Sequence, residues 1–311
     1  MNLATPQSTM TSPAEVTVII PTLATRDRQA SLLRALDSLA GAKGQRSIQI
    51  LVVVNGNRYH APLIEALPRP GVELLCIQEA SLPAAILAGR KAVRTRYFCF
   101  LDDDDLYLPD AIELRVAAIE TSPAADLVVT NGLRRSGNQE QPALSLLGQV
   151  EADPQIALFQ ENWLASCGAL YRTAAVPVAF FEQPQPYLEW TWLAFRLTCA
   201  SCRIRVLEVP TFVINDTPGS ASKSATYVES HVTLYRRMLA LGQRPDVRQL
   251  LEIRLAAAYH AIADQHLRSR HLATAWTNHL RSLACRGGWR YASFSRRLVL
   301  ATLGLSALAG K

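Results

Sequence analysis

Five apolar runs punctuate the first 132 residues: VTVIIPT (16–22), IQILVVVN (48–55), VELLCI (72–77), YFCFL (97–101) and ADLVVTNG (125–132). Each is rich in β-branched or aromatic residues and shows little polar alternation. Segments of helical period lie between them. SLLRALDSLAG (31–41) ends in glycine, LPAAILAGRKAV spans 82–93, and PDAIELRVAAIE (109–120) opens on proline. A strand without polar alternation needs cover on both faces, and intervening helices supply it. The expected class is therefore α/β, a mostly parallel, Rossmann-like sheet flanked by helices.

Beyond residue 132 the pattern weakens. RRSGNQEQP (134–142) reads as a loop, and helical period returns near Tyr227. Leu251, Leu255, Tyr259 and Ile262 form one apolar stripe, and Leu272, Trp276, Leu280 and Leu283 another. Both are expected to be packing faces. The resulting division is a disordered lead-in over 1–14, an α/β domain over 15–226 and a basic helical extension over 227–311.

Charge separates the last two. Residues 1–226 carry 19 basic and 22 acidic side chains, residues 227–311 carry 13 and 4, and no acid follows Asp264. The longest apolar stretch near the C-terminus, Leu298 to Gly310, falls short of the roughly 20 residues that span a bilayer. The N-terminal stretch lacks the basic and apolar segments of an export signal. Six scattered cysteines do not suggest a disulfide framework; Cys76 and Cys99 read as core, and the Cys199–Cys202 pair lacks a second ligand pair at zinc spacing. These features point to the cytoplasm. The dispersed histidines 231, 260, 266, 271 and 279 read as solvated or partner-facing, and the short basic runs lack the aromatics of a nucleic-acid groove.

One short segment carries chemistry. YFCFL leads directly into Asp102, Asp103, Asp104 and Asp105. Four adjacent carboxylates disfavour one another's ionisation, so the cluster is either a solvated turn beside a helix start or a cation site. In open α/β sheets ligands bind beyond the carboxyl ends of strands. Oxygen ligands on a short loop there suit Mg²⁺ or Mn²⁺, which share their coordination with substrate phosphates.

The order VTVIIPT, LLRALDSL, IQILVVVNGN, YFCFLDDDDLYLPD and ADLVVTNG resembles family 2 glycosyltransferases of the GT-A fold, over roughly Val16 to Asp216. Members read V-S-V-I-I-P-T and later F-L-D-x-D-D-x-x-x-P. The resemblance implies that Pro21, Thr22 and Leu23 cradle the nucleotide and that Asn55 faces its base. Asp102 and Asp104 fall on the D-x-D positions for donor ribose and divalent metal, Asp103 shares the ribose contact, and Asp105 orients its neighbours. In PYLEWTWLAFRL (186–197) the family's acid beside tryptophan, its catalytic base, corresponds to Glu189. The stretch NDTPGSASKS (215–224) matches a loop that closes over the diphosphate, with Ser220, Ser222 and Lys223 near phosphate oxygens and Asp216 a candidate third metal ligand. Two departures touch nucleotide recognition: Ile86 and Leu87 replace a common Arg-Asn pair, and VVNGN replaces V-D-D-G-S.

The implied activity is inverting, hexosyltransferase-type transfer from a nucleoside-diphosphate sugar to a glycan or lipid-linked acceptor hydroxyl. Two other readings stand beside it. One is an inactive module that binds nucleotide sugar or scaffolds at a membrane. The other is a nucleotidylyltransferase, against which PTLATRDRQ lacks the glycine-rich loop after the first strand. The basic tail either lies on the anionic inner face of a membrane or packs on the catalytic domain.

Overall fold

A computed structural model of the protein describes residues 13–216 and 225–305. The lead-in over 1–12 and the phosphate-loop assignments at Ser220, Ser222 and Lys223 lie outside the described residues. The chain divides into two compact units. The first runs to Glu151 and adds Leu164–Glu182 and Cys202–Asp216; the second comprises Ala152–Trp163, Gln183–Ser201 and the chain from Thr217. This division ends the first unit ten residues before the boundary expected at 226, and it assigns two internal segments to the second.

The first unit is built on one sheet. In chain order its elements are β1 (Val16–Thr22), α1 (Gln29–Ala42), β2 (Ile48–Asn55), α2 (Ala61–Ala66), β3 (Val72–Ile77), α3 (Leu82–Ala92), β4 (Tyr97–Phe100), β5 (Leu106–Tyr107), α4 (Ala111–Glu120), β6 (Leu127–Ser136) and β7 (Gln139–Pro142). β8 (Ala169–Arg172) follows α5 (Pro154–Gln160) and β9 (Ile204–Asn215) follows α6 (Glu189–Cys199), both helices belonging to the second unit. The strand order is β3-β2-β1-β4-β8-β6-β9-β5, with β7 paired to β6.

The expected parallel sheet is present from β3 to β4, where all three pairings are parallel. All seven residues of β1 are buried, as a central strand covered on both faces requires. Helix α3 lies close upon it: a Cβ on Gly89 would stand 2.5 Å from Ile19 Cγ2, so only glycine fits without displacement. Beyond β4 the sheet becomes mixed. β8 runs antiparallel to β4 and β6, β9 is parallel to β6, and β5 is antiparallel to β9. The register of β9 against β6 shifts at Asn131, opposite Pro210, which is where a residue without an N–H is tolerated. The segment expected as a loop at 134–142 is instead the β6–β7 hairpin, turning at Gly137 with φ +58°. Its strands are polar because β7 is exposed throughout, so apolar period could not reveal them.

The second unit is helical: α5, α6, α7 (Ala225–Ala240), α8 (Pro245–Arg268), α9 (Leu272–Ala284) and α10 (Phe294–Thr302). Leu251, Leu255, Tyr259 and Ile262 are buried on α8, as the stripe predicts. The second stripe is not. On α9 the buried residues are Ala275, Asn278, His279 and Ser282, one residue's rotation of about 100° away. Close approach explains the choice: Ser282 Oγ donates to Ala256 O on α8, a contact only a small side chain permits. His279, expected in solvent, is fully buried, with Nε2 bonded to Ser295 Oγ at 2.7 Å. All six thiols are free; Cys99 is core, but Cys76 is exposed on β3.

Candidate donor and cation site

The four aspartates occupy the turn between β4 and β5, beyond the carboxyl end of a buried strand. Asp105 N donates to Asp102 O, closing the turn. Tyr107 then pairs with Phe212, carrying the chain into the edge of the sheet. Each carboxylate meets a different partner.

Asp103 is almost wholly buried and accepts from Thr22 Oγ1 at 2.6 Å and Arg28 Nη1 at 3.0 Å. The same Arg28 nitrogen reaches Asp104 Oδ2 at 2.8 Å. One guanidinium thus bridges two carboxylates. Burial opposes the Arg28 charge, but Asp103 and Asp104 outweigh it and its pKa is raised. For Asp103, burial lifts the carboxyl above its ordinary value despite the Thr22 and Arg28 donors. Both of its oxygens accept from protein groups and so anchor the turn. Asp102 accepts from Ser166 Oγ at 2.6 Å.

Asp105 is tied to the end of β9 and to Cys167. It accepts from Asn215 N at 2.9 Å and from Cys167 Sγ, while Asn215 Nδ2 donates to Asp104 O. Burial, then the neighbouring Asp102 charge, push its carboxyl up to about 8. Between the ordinary value and about 8, the folded chain holds a proton that the unfolded chain has released. Stability therefore falls as pH rises through that window. Asp105→Asn, neutral at every pH, should flatten the decline by at least ~1 kcal/mol, the worth of a single pKa unit. Urea midpoints at pH 5 and pH 8 measure it, and an identical slope in both proteins would refute the assignment.

Pro21 and Thr22 end β1 in buried positions, and Leu23 is exposed just beyond. The Thr22 hydroxyl also accepts from Ala24 N, so it ties the end of β1 to the acidic turn. Asn55, at the end of β2, donates from Nδ2 to Thr22 O. One of its two amide hydrogens thereby joins two strand ends, and its Oδ1 is the atom the resemblance directs to a base. Asp216 follows β9 directly, exposed, its N–H donated to Arg135 O.

Glu189 belongs to the second unit and is the first residue of α6. One oxygen accepts from Tyr187 N at 3.0 Å. Burial raises its pKa, against the lowering effect of the Glu189 and Tyr187 backbone N–H groups. The segment before it is clamped from α7. Arg237 donates to Gln183 O, Pro184 O and Gln185 Oε1 and lies over the Trp192 ring, 4.2 Å from its centroid.

The sequence reading missed Arg28, Arg237 and Ser166. Arg28 had one usable signal, its place in a short loop after β1 at the same sheet edge as the aspartates. Fully buried Arg115 on α4 was equally hidden; it donates to Cys167 O and Thr211 Oγ1 and lies over the Tyr107 ring.

The donor set fits a hard divalent cation in kind. Asp102 and Asp104 offer carboxylate oxygens on one turn, and the turn already draws a cationic group to itself. Among the described residues no set of three or more His, Cys, Asp or Glu side chains could by itself hold a metal ion.

Residues 17–176 match the family model described as Glycosyl transferase family 2. No curated protein matches. Among solved structures, S. aureus TarS residues 1–349 in complex with UDP-GlcNAc aligns with a TM-score of 0.58 at 14% identity, over 79% of this chain and 72% of that one. The same fragment with UDP aligns at 0.51 and 15% identity, over 82% and 72%. At such identities the likeness establishes a shared fold.

Proposed function

The chain belongs to glycosyl transferase family 2, and on that premise we propose that it moves a sugar from a nucleoside-diphosphate donor to an acceptor hydroxyl with inversion. The observation that carries the reading is the acidic turn beyond β4, where Asp103 and Asp104 share one cationic group. Asp104, with Asp102, would hold Mg²⁺ or Mn²⁺. When bound, such a cation neutralises charge developing on the departing diphosphate.

The remaining work falls to side chains of this protein. Thr22 and Asn55 fix the strand ends on which the nucleoside rests, with Pro21 and Leu23 shaping that edge. Glu189 takes the proton from the acceptor hydroxyl as its oxygen attacks the anomeric carbon. A carboxylate whose pKa burial has raised suits this role, because a base works best with a pKa near the working pH. Inversion follows from a single displacement, without a covalent enzyme intermediate. The acceptor is a hydroxyl of a glycan or a lipid-linked saccharide.

The test is diphosphate release from a panel of nucleotide sugars, with Mn²⁺ and with chelator. UDP-GlcNAc comes first, because it is the ligand of the TarS complex. Cation-dependent consumption of one donor is the expected result. Nucleotide binding without turnover of any donor would identify the chain as a binding module instead.

A further inference from the structure

Among the described residues an apolar face of the C-terminal helices is largely exposed, although Trp276 packs in part against the core of Ala263, Ala275, Phe294 and Leu298. Leu272, Trp276, Leu280 and Leu283 align on α9, yet the first, second and fourth are only partly buried and Leu280 is 58% exposed. The contact side of α9 is Ala275, His279 and Ser282, and α10 meets the core through Phe294 and Leu298. Val299 on α10 and Leu303 at its C-cap, a turn apart, remain exposed at 45% and 66%. Trp276 Nε1 donates to Thr302 Oγ1, one turn from Val299 and directly before Leu303 in the chain. The stripe on α9 therefore continues onto α10 as one surface. Trp289, in the single turn between the two helices, is 74% exposed.

The charge around this surface has one sign. No acid follows Asp264, and Asp264 itself pairs with Arg268 and Arg297. Arg270, Arg281, Arg286, Arg290 and Arg296 are all exposed. None of the five has a carboxylate within ion-pair distance among the described residues. Arg290 stacks near the Trp289 ring, and Arg296 stands one turn before Val299 and two before Leu303.

We propose that the face formed by α9, α10 and Trp289 docks on an anionic lipid bilayer, lying in its interfacial region. Exposed Leu, Val and Trp side chains enter the boundary between headgroups and acyl chains, and arginine stems let their guanidinium groups reach lipid phosphates. Charge complementarity selects this occupant. A second copy of the chain would bring the same unpaired arginines against one another, whereas an anionic surface neutralises them. No described helix is long and apolar enough to cross a membrane, which agrees with a helix lying in the interface. The proposal is independent of the donor chemistry and would place the acceptor reaction at a lipid surface.

Sedimentation of the full chain with two kinds of vesicle tests it: equal parts phosphatidylglycerol and phosphatidylcholine, and phosphatidylcholine alone. Binding should occur to the anionic vesicles only and weaken as salt rises. Leu280→Glu combined with Leu303→Glu changes exposed positions, so circular dichroism and donor-side diphosphate release should be unchanged while vesicle partition falls at least about tenfold. Arg290→Gln with Arg296→Gln should lower partition on the order of tenfold and reduce its salt dependence. Three results would overturn the proposal. They are no sedimentation with anionic vesicles at low salt, equal binding to both vesicle types, or undiminished binding by the Leu280/Leu303 variant. A concentration-dependent dimer that this variant abolishes, without vesicle binding, would assign the face to a second copy.

Discussion

Glu189→Gln should lower turnover by about 10²–10⁴ and leave donor affinity nearly unchanged, since the amide keeps the shape and cannot accept a proton. The amide oxygen can still accept the Tyr187 N–H bond now made by the carboxylate, so the start of α6 should survive the change. A pH profile separates loss of a base from loss of structure. Burial raises the Glu189 pKa, and the base acts only when ionised. Activity of the native protein should therefore decline on the acid side at a pH above the ordinary glutamate value, and the residual activity of the variant should lack that limb. Circular dichroism and calorimetric titration of the nucleoside diphosphate complete the comparison. Retention of most activity would move the base to another carboxylate, with Asp216 and Glu182 next to be tested.

Asp104→Ala should abolish the cation dependence of nucleoside-diphosphate binding. It removes one of two candidate carboxylate ligands, while Asp103 stays anchored through Thr22. Arg28→Gln should act in the opposite direction on the cation alone. Arg28 Nη1 contacts both Asp103 and Asp104, so a divalent ion must compete with a positive charge that is tethered in place. Without that charge, Mn²⁺ measured in the absence of nucleotide should bind about tenfold more tightly, the scale of a charge-assisted hydrogen bond near a surface. Calorimetry or the electron paramagnetic resonance signal of free Mn²⁺ reads both variants. Equal Mn²⁺ affinity in native, Asp104→Ala and Arg28→Gln proteins would remove the turn from consideration as a metal site.

What the sequence made legible followed from period and adjacency. β1 to β4 are parallel, and β1, β4 and most of β2 are buried, so their apolar runs announce themselves, and the aspartates adjoin one of those runs. What stayed hidden depends on partners distant in sequence. β8 has four residues, β9 contains Glu208 and Pro210 at an irregular register, and β5 has two residues. β5 and β8 are too short to announce themselves, and β9, though twelve residues long, is broken by polar residues and Pro210 so that no clean alternation marks it. The stripe on α9 misled for a different reason: the contact with α8 is so close that alanine and serine fill it, and hydropathy does not rank those residues as core. His279 is buried there because its ring finds Ser295 Oγ, a partner that α10 supplies. The answer to four adjacent carboxylates was likewise remote, since Arg28, Thr22, Ser166 and Asn215 arrive from four different places in the chain.

That arrangement makes the acidic turn a counted object. It is fastened to β1 through Thr22 and Asp103, to the segment before β8 through Ser166 and Asp102, and to the end of β9 through Asn215 and Asp105. Inserting or deleting one residue between Leu101 and Leu106 would break at least one fastening. It would also slide Leu106 and Tyr107 out of step with Val213 and Phe212, sending the Tyr107 side chain to the opposite face of the sheet. Tyr107 would then lose its hydrogen bond to Phe100 O and its place beneath Arg115. Over evolutionary time such a turn can exchange one carboxylate for another polar side chain far more readily than it can change its length.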